Sequence, residues 1–160
     1  MGLFLAFSVA AGYFERGLPP IFAAAPGIKL GLPNIAVIVL MYIKDSKTAL
    51  AMNICRVALS GLLFSGAWGA AYGFFGAFLS YAAMAALKKT GKFGTVGVSA
   101  AGGVCHNLGQ VCAAALIIGD ARLFYYFPVL IVFGCATGAI VGYLAGLCIN
   151  RLAKIDLGKL

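Results

Sequence analysis

The sequence predicts an all-α polytopic membrane protein, with six transmembrane helices in one integral membrane domain over residues 1–160. Three observations point there. Of the residues, 63% are hydrophobic and only 10% are Asp, Glu, Lys or Arg, whereas soluble domains carry about 25% charged residues. With a mean hydropathy of +1.04, the chain has too little charge to cover a soluble surface. The apolar residues also fall in runs far longer than the roughly 9–11 residues of a barrel strand, and they do not alternate. In hydrocarbon the remaining way to satisfy every backbone N–H and C=O is the helix. Finally, the basic residues behind the net charge of +8 sit in small groups between the runs. That is the pattern of topology signals and not of a nucleic-acid footprint.

The first run, Leu3 to Phe14, carries small residues at Ala6, Ser8, Ala10 and Gly12, which permit close helix approach. It lacks the basic leader and cleavage site of a signal peptide. Glu15 to Lys29 reads as a loop, because three prolines and two glycines break any helix there. The loop is apolar, so it either lies on the lipid interface or folds back as a lid. The second run is Leu30 to Ile43, with Pro33 tolerated near its start. Lys44-Asp45-Ser46-Lys47 is a tight polar connector in which Asp45 or Ser46 can cap the next helix. Thr48 to Ser65 follows, then a break near Gly66-Ala67, then Trp68 to Leu87 with a stop at Lys88, Lys89 and Lys92. The fifth run is Gly94 to Ile118. The sixth is Phe127 to Ile149, entered through an interface belt at Tyr125-Tyr126. In it Gly134, Gly138, Gly142 and Gly146 recur every four residues, which leaves one ridge bare for close packing.

Polar residues inside these runs are the candidates for function. Cys105-His106-Asn107-Leu108-Gly109-Gln110 sits mid-run and holds the chain's single histidine. His106 and Gln110 share a helix face, with Asn107 beside them. Asn53 and Arg56 share a face in the third run, and Arg56 is the one basic residue deep inside an apolar run. Polar groups at this depth are costly and need partners. They are either packing glue between helices or the lining of a ligand site. No acidic residue falls within any expected span, so Arg56 has no internal carboxylate and favours an anionic or strongly polar ligand. The five cysteines lie in apolar runs without a CxxC pair and read as small membrane-core residues, not metal ligands or disulfides.

Six spans put both termini on one side. Eight basic residues fall on that side (Lys44, Lys47, Lys88, Lys89, Lys92, Arg151, Lys154, Lys159) and three on the other (Arg16, Lys29, Arg122). Both termini are therefore expected in the cytoplasm.

Pro26-Gly27-Ile28-Lys29-Leu30-Gly31-Leu32 with Asn34, and His106-Asn107-Leu108-Gly109-Gln110, resemble the hallmark segments of a bacterial family, heptaprenyl diphosphate synthase component I, also called the Gx transporter family. The order of motifs and runs agrees from about Ala10 to Leu147, with Pro33 standing where Ala is expected. The family in turn resembles the substrate-binding S components of energy-coupling factor transporters. That resemblance implies an S-component-like bundle of six helices in the bacterial cytoplasmic membrane. It implies a pocket closed on the outer side by the first long loop, and a first helix whose small residues, here Ala6 and Ala10, meet a transmembrane coupling subunit.

The resulting expectation is a substrate-binding membrane subunit of a small-molecule uptake system. Lys29 and Arg56 would meet negative charge. Asn34, Asn53, His106, Asn107 and Gln110 would give directional hydrogen bonds, and Tyr13, Phe22 and Tyr72 would cover an apolar part. A transmembrane coupling subunit and ATPases would be partners, because the chain has no phosphate-binding Gly-rich loop of its own. One alternative is a noncatalytic membrane component of prenyl diphosphate or quinone biosynthesis, partnered by a soluble prenyl synthase. The chain itself has four acidic residues, none clustered, and so lacks the Asp-rich motifs of such synthases. A scaffold in a membrane redox complex is a further alternative. No cofactor, metal or nucleic acid is implied.

Overall fold

The computed structural model describes residues 1–17 and 30–154, and all regular structure in them is helical. The order is α1 (Gly2–Gly17), α2 (Pro33–Ile43), α3 (Ser46–Ser60), a π-helical turn (Gly61–Ser65), α4 (Gly66–Thr90), α5 (Thr95–Ile118), a 3₁₀ turn (Ala121–Tyr126) and α6 (Phe127–Leu152). Three helical stretches, Ser46–Thr90, Thr95–Ile118 and Ala121–Leu152, are long and apolar enough to cross a membrane. The first of them doubles back. Asn53 Nδ2 donates to Ala77 O and Tyr81 Oη to Ser46 O, so α3 and α4 run antiparallel. The reversal falls on the π turn and on Gly66, whose φ of +64° suits a residue without Cβ.

α2 is the core of the bundle. Every residue from Ile35 to Met41 is buried, as expected of a helix apolar on all sides. It packs against α1, α3 and α6. Its first turn starts at Pro33, where a missing N–H costs nothing. At its other end, Lys88 Nζ donates to Met41 O and lies 5.0 Å from the Tyr42 ring centroid. A cation thus meets the negative end of the helix. Asp45 caps α3, accepting from Thr48 N at 2.7 Å and Thr48 Oγ1 at 2.8 Å.

The glycine ridge of α6 faces α5. A Cβ on Gly138 would lie 2.6 Å from Ser99 O, and one on Gly142 would lie 2.7 Å from Val96 Cα. Backbone meets backbone there, which is the close approach that small residues permit. The cysteines sit further out than a core reading implies. Cys55, Cys135 and Cys148 are exposed on the helix surface, and all five are free thiols.

Two boundaries differ from expectation. α1 does not stop at Phe14 but continues through Glu15 and Arg16 to Gly17. Both charged side chains are held by tertiary partners: Glu15 Oε1 accepts from Gly31 N at 2.7 Å, and Arg16 donates to Ser65 Oγ and lies 5.3 Å from the Phe64 ring centroid. α2 has 11 residues, a rise of about 16 Å, which is near half the hydrocarbon core. The loop expected to act as a lid or interface segment lies, from Leu18 to Lys29, outside the described residues.

Candidate functional site

Arg56 projects from α3 into a cavity of about 310 Å³ inside the bundle. Asn53, one turn earlier, holds it: Asn53 Oδ1 accepts from Arg56 Nη2 at 2.8 Å and from Nε at 3.2 Å, while Asn53 Nδ2 donates to Ala77 O at 3.3 Å. Asn53 is itself buried, so the guanidinium is tied to the wall through a fixed amide. Its remaining N–H donors are open to the cavity. Glu15 also lines this cavity, close enough to act electrostatically on Arg56. Arg56 therefore does have a carboxylate near it. The sequence concealed this because Glu15 looked like a loop residue. No ion pair joins the two; among the described residues the ion pair present is Arg122–Asp120, at 3.0 Å on the surface.

Asn34, His106, Asn107 and Gln110 line the same cavity as Arg56. They come from α2 and α5, and glycines make the convergence possible. A Cβ on Gly76 would sit 2.9 Å from His106 Cε1 and 3.0 Å from Gln110 Cγ, so α4 leaves room for both side chains. Asn107 has a packing role as well: its Nδ2 donates to Leu130 O at 2.8 Å and ties α5 to α6. Asn34 and Gln110 make no side-chain hydrogen bond within the described residues and remain available to cavity contents. Asn53 stands behind Arg56 and does not line the space itself. Lys29 and Phe22 lie outside the described residues. Of the remaining aromatic candidates, Tyr72 is on the wall. Tyr13 turns outward, 65% exposed, with its ring 5.2 Å from that of Phe64.

Several lining residues escaped the sequence reading. Arg16, exposed at one end of the cavity, marks its mouth together with Glu15 and Ser65. Ser80 and Ser99, both buried, and Met84 mark its closed end. A lone serine in an apolar run, as Ser80 is in α4 and Ser99 in α5, gives no strong signal, since serines are common packing residues in membrane helices. The cavity thus joins a mixed-charge mouth, a belt of guanidinium, imidazole and amide groups, and a narrow interior. Such a lining can hold an anionic group by charge and orient it by hydrogen bonds.

Comparison with curated proteins and with solved structures gave no match. The family model for heptaprenyl diphosphate synthase component I matches residues 4–148. That range takes in α2 to α5, most of α1 and α6 and every residue that lines the cavity, and the chain belongs to the heptaprenyl diphosphate synthase component I family.

Proposed function

We propose that the chain is a noncatalytic, anion-binding membrane component of a prenyl diphosphate synthase, working with a separate catalytic chain. The observation that supports this most is Arg56, a guanidinium held by Asn53 with donors open to a polar cavity and no ion pair among the described residues. A guanidinium is well matched to phosphate oxygens. The family's name describes a first component, which implies a second. The four acidic residues are Glu15, Asp45, Asp120 and Asp156, widely separated in sequence. Elongation chemistry that depends on clustered carboxylates would therefore fall to the partner. In this reading residues 1–160 form one domain in the bacterial cytoplasmic membrane, with six spans and both termini inside.

Titration of the detergent-purified protein with inorganic pyrophosphate and a short prenyl diphosphate tests the site. Arg56→Gln is expected to weaken binding about 10- to 100-fold, the worth of one charge-assisted hydrogen bond or two. Unchanged affinity would remove Arg56 from the site. Co-purification with a co-expressed soluble prenyl synthase tests the partnership.

The position of the cavity supports a second reading, a substrate-capture subunit of an uptake system resembling the S components. The space is lined by residues of α1 to α6, with Arg16 exposed at one end and Ser80 and Ser99 buried at the other, as in a capture site between helices. That reading requires a coupling subunit and ATPases. ATP-dependent accumulation of a labelled ligand, without any effect on prenyl synthase activity, would decide for it.

A further inference from the structure

We propose that the closed end of the cavity is a second, hydrogen-bonding subsite formed by Ser80 and Ser99. The ligand is accordingly a compact molecule polar at both ends, with an anionic group at Arg56 and a hydroxyl, carbonyl or amide deeper in the bundle. This rests on the reading of Arg56 as an anion site and narrows what that site takes.

Ser80 and Ser99 are each 3% exposed and both line the cavity. Neither hydroxyl makes a hydrogen bond within the described residues. Other hydroxyls in the bundle behave differently: Ser8 Oγ donates to Pro33 O at 2.9 Å, and Thr137 Oγ1 bonds back to Phe133 O at 2.8 Å. Nor are the two serine oxygens sealed into packed protein, as the buried hydroxyls of Tyr42 and Tyr126 are. They face the cavity space, so what occupies that space must satisfy them.

The depth follows from helix register. Asn53, which holds the Arg56 guanidinium, lies opposite Ala77. Ser80 is one turn further along α4. Gly102 packs against Ser80 and Met84, so Ser99, a turn earlier in antiparallel α5, lies at or just past the level of Met84. From Ala77 to Met84 is about 10 Å of helix rise. Ile38 and Val141 give apolar wall beside these polar groups, and Met84 lies at the closed end with the serines. Gly102 keeps the floor open, since a Cβ there would crowd Met84 Sδ at 2.8 Å and Ser80 Oγ at 3.2 Å. The volume of about 310 Å³ is at the small end for ligand pockets. A long prenyl tail does not fit it, and an isoprenoid end offers nothing to either hydroxyl.

The experiment is a titration of the full chain in detergent with a matched pair of probes, pentyl phosphate and the same molecule carrying a terminal hydroxyl. The hydroxyl-tipped probe is expected to bind about tenfold tighter. That preference should vanish in the Ser80→Ala/Ser99→Ala variant, and Arg56→Gln should weaken both probes alike. Equal affinity of the two probes for the parent protein would overturn the subsite while leaving the anion site standing. A preference that survives in the double serine variant would do the same. Binding of neither probe would overturn both.

Discussion

Asn53 illustrates how one side chain serves stability and binding together. It is 4% exposed, and its amide uses both ends: one accepts from the Arg56 guanidinium, the other donates across to α4. Asn53→Ala is expected to cost about 1–3 kcal/mol, because a carbonyl and a guanidinium lose their partner where water is scarce. It should also loosen Arg56 and weaken pyrophosphate binding. Arg56→Gln should lower affinity with a smaller effect on melting, since Asn53 keeps its bond to Ala77 O. Melting temperature and affinity measured on the same purified variants separate the two effects. A different residue controls acid sensitivity. The Thr48 backbone N–H and hydroxyl hold the Asp45 carboxyl below its ordinary value. Its cap therefore contributes stability above the ordinary Asp pKa of about 4, and this is lost as pH falls through the lowered value. Asp45→Ala should melt below the parent at neutral pH, and the difference should close in acid. A constant difference down to strongly acidic pH would mean that the carboxylate charge is irrelevant there.

At the scale of the element, the glycine ridge of α6 makes the sharpest stability prediction. Gly138→Leu and Gly142→Leu place side chains where Ser99 O and Val96 Cα already lie within 2.6–2.7 Å of a Cβ. Overpacking costs about 1–3 kcal/mol even where side chains can move, and here the neighbour is backbone. Gly146→Ala is the control, because its nearest neighbour is the rotatable Thr95 Oγ1 at 3.0 Å. Thermal melting in detergent should rank both leucine variants well below Gly146→Ala. This ridge was legible in the sequence because a four-residue spacing of glycines has few other uses. Arg56, His106 and Gln110 were legible for a similar reason, as polar groups are conspicuous in an apolar run. Glu15 was not, since helix and loop both accept a charged residue beside an apolar run, and tertiary bonds to Gly31 decided the outcome. Nor was the π turn at Gly61–Ser65, which widens the helix one turn before it breaks, as expected, at Gly66. Ser80 and Ser99 belong to the same class: their role depends on which neighbours lack side chains, a property of the packed pair and not of either helix.

At the scale of the whole molecule, the short α1–α2 pair sets how many times the chain crosses the bilayer. α3 to α6 form two antiparallel hairpins, and Lys44 and Lys88 lie at one end of the bundle with Arg16 and Ser65 at the other. Among the described residues, seven basic side chains belong to the first end and two, Arg16 and Arg122, to the second, and the richer end is expected in the cytoplasm. α1 and α2 have 16 and 11 residues, rises of about 24 and 16 Å against a hydrocarbon core of about 30 Å. An outward α1 and an inward α2 leave the chain on its starting side whether or not the pair crosses fully. The termini therefore report parity and cannot separate six spans from four spans plus a re-entrant pair; the link after α1 can. Reporters fused after Lys92 and after Lys159 are expected to read cytoplasm, and one inserted after Pro20 is expected to read the outside. Arg16 and Ser65 support this, because α1 ends beside the turn that joins α3 to α4, at the same end of the bundle. A cytoplasmic reading after Pro20 with both other reporters unchanged would mean that α1 and α2 enter and leave from one face. Opposite readings at Lys92 and Lys159 would contradict the antiparallel pairing of α5 with α6 and overturn the topology altogether.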